Sequence, residues 1–106
     1  MRRGTTPTHT FELPFEVETI KEVQIVYVQS NHYKAEEMTK IIKTTKDCKL
    51  EGNTVSVELT QEDTLALTHK LQVSIQLRVL TYDGTALVSE VIKRDVYPCL
   101  DSEVLA

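Results

Sequence analysis

The amino-acid sequence predicts an all-β fold, and three features of its pattern support that class. Apolar and polar residues alternate with a period of two in several short stretches, as they do in strands that bury one face. Turn-forming pairs stand between those stretches, at Gly52-Asn53 and at Asp83-Gly84. A helix start is indicated only at the segment after Thr60. The pattern therefore favours short antiparallel strands.

The first two predicted strands differ in how many apolar faces they have. The first covers Thr8 to Leu13, and Pro14 ends it because proline cannot donate a hydrogen bond to a sheet. The second covers Val23 to Val28, where Val26 and Val28 make the outward face apolar as well. A strand buried on both sides, or one whose second face meets a partner, has this pattern.

The stretch from Tyr33 to Thr45 mixes two preferences. Its first part contains Ala-Glu-Glu-Met, which favours a helix, whereas the β-branched threonines and isoleucines that follow favour a strand. We predict a strand from Met38 to Thr45, preceded by a loop or turn at Ser30-Asn31-His32.

Two hairpins complete the predicted strands. The run from Asp47 to Glu51 returns through Gly52-Asn53 into an alternating strand, and a later strand returns through Asp83-Gly84 into one that starts near Thr85. The alternation predicts a core built from Val55, Val57, Leu59, Val73, Ile75, Leu77 and Val79.

One helical turn is predicted between these hairpins. Thr60 precedes Asp63 by three residues, which is the spacing of a capping box, and leucines follow. We expect this turn to cross from one sheet to the other. Glu62 and Asp63 also form an adjacent acid pair, but carboxylates that complement a helix start account for them more simply.

These elements predict a small antiparallel β-sandwich of immunoglobulin-like kind, with six or seven strands and one short helical turn. The likeness is architectural, because the chain has no tryptophan for a Cys…Trp…Cys core. The 106 residues are expected to form a single domain, 1–106. Within it, residues 1–7 are an extended N-terminal arm and residues 98–106 a loose C-terminal tail.

Composition and charge argue against several classes of function. The chain has 12 basic and 16 acidic residues, a net charge of −4, which disfavours a nucleic-acid partner. The start, Met1-Arg2-Arg3, has no apolar segment behind it, so we expect no secretory signal. No apolar stretch is long enough for a membrane span.

No catalytic or metal-binding motif is present. His9, His32 and His69 lie in separate predicted elements without metal-ligand spacing, so we expect no metal and no cofactor. Phosphate-loop and nucleophile-elbow motifs are missing, and an enzyme is not expected. Cys48 and Cys99 are expected to be free thiols, with a bridge between them as the alternative.

Aromatic residues near the predicted strand ends are the candidate contact residues. They anchor a protein partner or, alternatively, close the ends of the sandwich core. The N-terminal arm either frays or adds a strand to a neighbour's sheet edge. The candidate interface residues are Phe11, Phe15, Tyr27, Tyr33, Tyr82 and Tyr97.

Three stretches carry a resemblance: 3–11 (RGTTPTHTF), 59–65 (LTQEDTL) and 75–80 (IQLRVL) before Asp83-Gly84. Together they resemble short uncharacterised proteins encoded by phages and prophages of gut-dwelling Gram-positive bacteria. More distantly, the chain is similar to the N-terminal β-sandwich domain of phage baseplate upper proteins, although such a protein is expected to continue beyond this length. The resemblance implies a virion structural or tail-associated role and no catalytic residue.

Two functions are therefore expected as alternatives. The first is a non-enzymatic structural or assembly module that contacts itself or other phage structural proteins, in the virion or in the host cytoplasm during assembly. The second is a small-ligand or carbohydrate-binding β-sandwich, which the lack of tryptophan disfavours.

Overall fold

The computed structural model describes the backbone of residues 1–31 and 34–105 and the side chains of residues 1–30 and 38–105. In this part of the chain, eight strands form two antiparallel sheets, which confirms the predicted all-β sandwich with one strand more than the six or seven expected. The strands are β1 (Thr8–Glu12), β2 (Ile20–Asn31), β3 (Lys34–Thr44), β4 (Cys48–Glu51), β5 (Thr54–Glu58), β6 (Val73–Thr81), β7 (Ala86–Val88) and β8 (Ile92–Arg94).

The smaller sheet has three strands in the order β1-β5-β4. β5 is central, and its Val55 lies opposite Phe11 of β1 and Leu50 of β4. The predicted hairpin is confirmed, because β4 and β5 meet at a turn in which Gly52 has a φ of +59°. That left-handed backbone suits glycine, which has no Cβ to clash with the preceding turn.

The larger sheet has the order β3-β2-β6, and both β7 and β8 pair with the far side of β6. β2 continues through Ser30 and Asn31, so the loop predicted there is wrong at those two residues, and His32 lies outside the described residues. β3 begins at Lys34, earlier than predicted. β2 pairs with β3 from Gln24 to Asn31, with a register shift at Ser30/Asn31. Cross-strand hydrogen bonding thus overrides the weak local preference of these polar residues.

One short helix, α1 (Gln61–Ala66), joins the sheets as predicted. Its capping box is formed because the Asp63 amide donates to Thr60 Oγ1 at 3.0 Å and the Thr60 amide donates to Asp63 Oδ2 at 2.9 Å. Lys43 Nζ of β3 also lies 2.7 Å from Asp63 Oδ2. Burial opposes ionisation, yet these bonds from Lys43 and Thr60 hold the pKa of Asp63 below its usual value. The carboxylate is therefore structural.

The core lies between the two sheets. All seven residues predicted from the alternation are buried there. Gln29 of β2 is buried as well, and all the polar atoms of its amide are bonded: Nε2 donates to the carbonyl oxygens of Thr68 (2.8 Å) and Leu71 (2.9 Å), and Oε1 accepts from the Thr68 amide (2.8 Å). A buried amide is tolerated when its bonds are satisfied in this way.

Replacing Ile75 by Ala should lower the free energy of unfolding by about 2–5 kcal/mol, because it removes buried methyl groups and leaves a cavity between the sheets. Gln76, which follows it on the opposite face, donates to the Ser89 carbonyl at 3.0 Å. Gln76→Ala should cost about 1 kcal/mol. Urea titration of both variants measures the difference, and equal costs would contradict the assigned faces.

Candidate interaction surface

The predicted contact residues do not form one surface. Tyr27 is fully buried, so it belongs to the core and cannot contact a partner. Phe11 and Phe15 are half-buried and pack against the core. Tyr82 and Tyr97 are exposed in separate parts of the chain, the β6–β7 turn and the segment after β8. The side chain of Tyr33 lies outside the described residues.

The N-terminal arm is bonded to its own domain. The Arg3 amide donates to the Tyr97 carbonyl at 3.0 Å, the Tyr97 amide donates to the Met1 carbonyl at 2.8 Å, and the Leu59 amide donates to the Pro7 carbonyl at 3.0 Å. The arm therefore does not fray, and that expectation is wrong, whereas strand addition to a neighbour's sheet edge stays a prediction. Some of its backbone groups are already paired within the chain, which leaves fewer of them for strand addition.

The side chain of Thr64 in α1 is hydrogen-bonded to this arm. Its buried hydroxyl accepts from the Gly4 amide at 3.0 Å and donates to the Thr5 carbonyl at 2.9 Å. Gly4 has a φ of +81°, and a Cβ there would lie 3.4 Å from Cys99 Sγ. Arg3 Nη2 also donates to the Leu65 carbonyl at 2.9 Å. Residues 3–11 and 59–65, the first two stretches that carry the resemblance, are thus hydrogen-bonded to each other. Thr64, the residue that links them, was not identified from the sequence.

His9 and Tyr27 link the two sheets through the core. His9 Nδ1 and the Tyr27 hydroxyl share a hydrogen bond of 2.7 Å. Burial, with smaller contributions from Cys48 and Asp63, raises the pKa of Tyr27, so its phenol stays protonated. Burial, the N-terminal ammonium and Arg94 lower the pKa of His9. This histidine is half-buried and hydrogen-bonded within the protein.

The remaining candidates for chemistry are separate from one another. Cys48 is half-buried and Cys99 is exposed, and both are free. Burial and the charge of Asp47 raise the pKa of the Cys48 thiol, which makes it a poor nucleophile. The described residues contain no group of three or more His, Cys, Asp or Glu side chains placed to hold a metal ion. Within the same residues, no helix has the length and apolar character to cross a membrane.

The outer face of the larger sheet is the most distinctive surface. Val26 and Val28 of the central strand β2 point away from the core and are half-buried. Lys40 of β3 lies opposite Val28, and Arg78 of β6 lies opposite Gln24 further along β2, where Arg78 Nη1 donates to Gln24 Oε1 at 3.1 Å. A shallow groove of about 450 Å³ follows this face, lined by Gln24, Val26, Val28, Lys40, Ser74, Gln76, Arg78 and Val91.

Apolar character continues beyond this outer-face groove. Met38 and Ile42 of β3 are exposed by 54% and 44%, and Val88 of β7 by 57%. No strand or helix of the described chain lies over this face. An exposed apolar strip with an arginine beside it makes this face the candidate interaction surface.

Comparisons with protein-family models, curated proteins and solved structures found no match to this chain. The resemblance to phage proteins therefore stays a prediction from the sequence. The surface is assigned from its own geometry and chemistry.

Replacing Thr64 by Val should lower the free energy of unfolding by about 1–3 kcal/mol, because it removes the buried hydroxyl that bonds the Gly4 amide and the Thr5 carbonyl. Amide hydrogen exchange at Gly4 should rise by more than exchange in β6. Thr10→Val, on the exposed side of β1, is the matched control and should change stability by less than about 0.5 kcal/mol. An unchanged Gly4 exchange rate would show that the arm is held by other contacts.

The His9 pair makes stability depend on pH. The pKa of His9 is lowered in the folded protein, so the unfolded chain binds a proton more readily below its ordinary value of 6.5. The stability contributed by neutral His9 is complete above that pH and is lost as pH falls below it. Urea titrations between about pH 7.5 and 5.5, above the carboxylate range, should show this loss.

His9→Gln, which retains an amide to bond Tyr27, should flatten this pH dependence. His69→Gln changes an exposed histidine and should leave the slope as in the unmodified chain. Equal slopes for the His9 variant and the unmodified chain would assign the pH dependence to other groups.

Proposed function

We propose that this chain is a non-enzymatic assembly module that binds protein partners through the outer face of its larger sheet. The observation that carries the proposal is the pair Val26 and Val28, which lie half-buried on the outer face of β2 in a groove that Lys40 and Arg78 also line. Burying such a strip stabilises a complex in proportion to the apolar area removed from water. The flanking cations give the contact an orientation.

The sequence resemblance supports a setting for this module. The chain resembles phage and prophage proteins with a virion structural or tail-associated role, acting in the particle or in the host cytoplasm during assembly. Proteins in such particles bind one another through repeated contacts, and a rigid sandwich with one adhesive face is suited to that task. The partner is then another phage structural protein or a second copy of this chain.

The alternative function, binding of a small ligand or carbohydrate, has one observation in its favour. A groove of about 490 Å³ is lined on one side by Phe15 and Tyr82, and Asp83 lies beside them. However, Asp83 already accepts hydrogen bonds from Thr81 Oγ1 and the Thr85 amide, and these bonds lower its pKa. Because its carboxylate serves the turn, the outer face of the larger sheet is the better-supported site.

The proposal predicts that Val28→Lys abolishes partner binding while the domain stays folded, because a charge replaces the apolar floor of the outer-face groove. Ser56→Lys is the matched control, since it places the same charge on the central strand of the smaller sheet, facing away from the core. Binding is measured in two ways: by sedimentation equilibrium of the purified chain, and by quantitative capture of phage structural proteins from an infected lysate with each variant as bait.

Loss of binding in the Val28 variant, with retention in the Ser56 variant, is the expected result. A chain that neither self-associates nor captures a structural protein would contradict the proposal. A saturable thermal shift with an oligosaccharide, lost in Tyr82→Ala and kept in Val28→Lys, would favour the alternative function instead.

A further inference from the structure

The C-terminal segment (98–105) is held at both ends and exposed between them. At its start, Arg2 Nη1 donates to the Pro98 carbonyl at 2.8 Å. At its end, Gln61 Nε2 donates to the Leu105 carbonyl at 3.1 Å and the Leu105 amide donates to Gln61 Oε1 at 2.9 Å. Leu100, between these anchors, is fully exposed. The predicted loose tail is thus without secondary structure yet tied down at two points.

The chemistry of this segment complements the outer-face groove. It contains two carboxylates, Asp101 and Glu103, and no lysine or arginine. The lining of the outer-face groove contains two cations, Lys40 and Arg78, and no carboxylate among the described residues. The segment presents Leu100 beside its acids, whereas that groove presents its valines beside its cations. The segment and the outer-face groove therefore both present apolar groups, and their charges are of opposite sign. The groove is basic although the chain as a whole is acidic.

We propose that the C-terminal segment of one copy docks in the outer-face groove of a second copy. Leu100 packs on Val26 and Val28, and Asp101 and Glu103 pair with Lys40 and Arg78. The proposal deepens the proposed function, on which it rests, by naming a second copy as the partner. Because the two surfaces differ, the contact is heterologous and repeats from copy to copy, giving a ring or an open chain.

The groove of a second copy is favoured over the groove of the same copy. Within one copy, Val104 lines a different groove together with Thr6, Leu59 and Gln61. That groove and the outer-face groove have no lining residue in common. Reaching its own outer face would cost the segment the Gln61 bonds that position it. Docking between copies keeps those bonds, so a partly ordered segment is presented and less conformational entropy is lost on binding.

Charge reversal on each side separately tests this contact in the full-length protein. The face variant is Lys40→Glu with Arg78→Glu, and the segment variant is Asp101→Lys with Glu103→Lys. Each should weaken self-association about tenfold or more in sedimentation equilibrium at low salt, since each turns two attractions into repulsions. A mixture of the two variants should associate again, because each now has a surface that complements the other.

Two controls separate the contact from general effects of charge and folding. Lys49→Glu with Lys70→Glu makes the same change in net charge as the face variant, at exposed positions outside the outer-face groove, and it should leave association unchanged. Circular dichroism and thermal unfolding verify that each variant is folded. Raising salt to about 1 M, where the Debye length is about 3 Å, should weaken the association of the unmodified chain.

Loss of association in the segment variant and its recovery in the mixture support the proposal. A symmetric contact between two outer faces would predict no loss in the segment variant. A monomeric unmodified chain, an unaffected segment variant or a mixture that stays dissociated would overturn it. If the unmodified chain is monomeric while Val28→Lys still loses capture of another phage protein, the proposed function stands and this inference alone fails.

Discussion

Strand β2 is the element on which the rest of the structure depends, because it is bonded on both sides and uses both of its faces. Its register with β3 and β6 places Tyr27 inward and Val26 and Val28 outward. A slip of one residue would exchange the two faces and expose the core. Two polar side chains oppose such a slip, since Tyr27 bonds His9 of the other sheet and Gln29 bonds the loop before β6. The register that builds the core thus also builds the outer-face groove.

Much of this architecture was predictable because the alternation of apolar and polar residues indicates a strand that buries one face. The core of β5 and β6, both hairpins and the Thr60 cap follow from local pattern, and the structure confirms them. β8 was missed because its three residues are too few to show a period and, unlike β7, it does not follow a turn pair. Ser30 and Asn31 were predicted as a loop because their strand is fixed by pairing with β3 rather than by local preference. Docking of the arm depends on Thr64, whose partners are about sixty residues away. Long-range bonds of this kind leave no local signal.

The candidate site also has one part that the local sequence pattern predicts and another that only long-range pairing decides. The two apolar faces of β2 were visible in the sequence and indicated either burial or a partner. Only the fold places Lys40 and Arg78 in the lining of the same groove as Val28. The aromatic residues were misleading as a group, because aromatic character does not distinguish Tyr27, which is buried, from Tyr82, which is exposed. Exposure is decided by strand register, and the register comes from pairing between separate segments.

The Asp63 carboxylate connects two elements that would otherwise come apart separately. It closes the cap of α1 and also holds Lys43 of β3, an edge strand of the larger sheet. Fraying of the helix therefore releases the ammonium of the edge strand, and peeling of the edge strand weakens the helix cap. Opening at the two places is therefore coupled through this carboxylate. An exposed strand edge is the place where β proteins begin to aggregate, and here its first opening is resisted by a six-residue helix between the sheets.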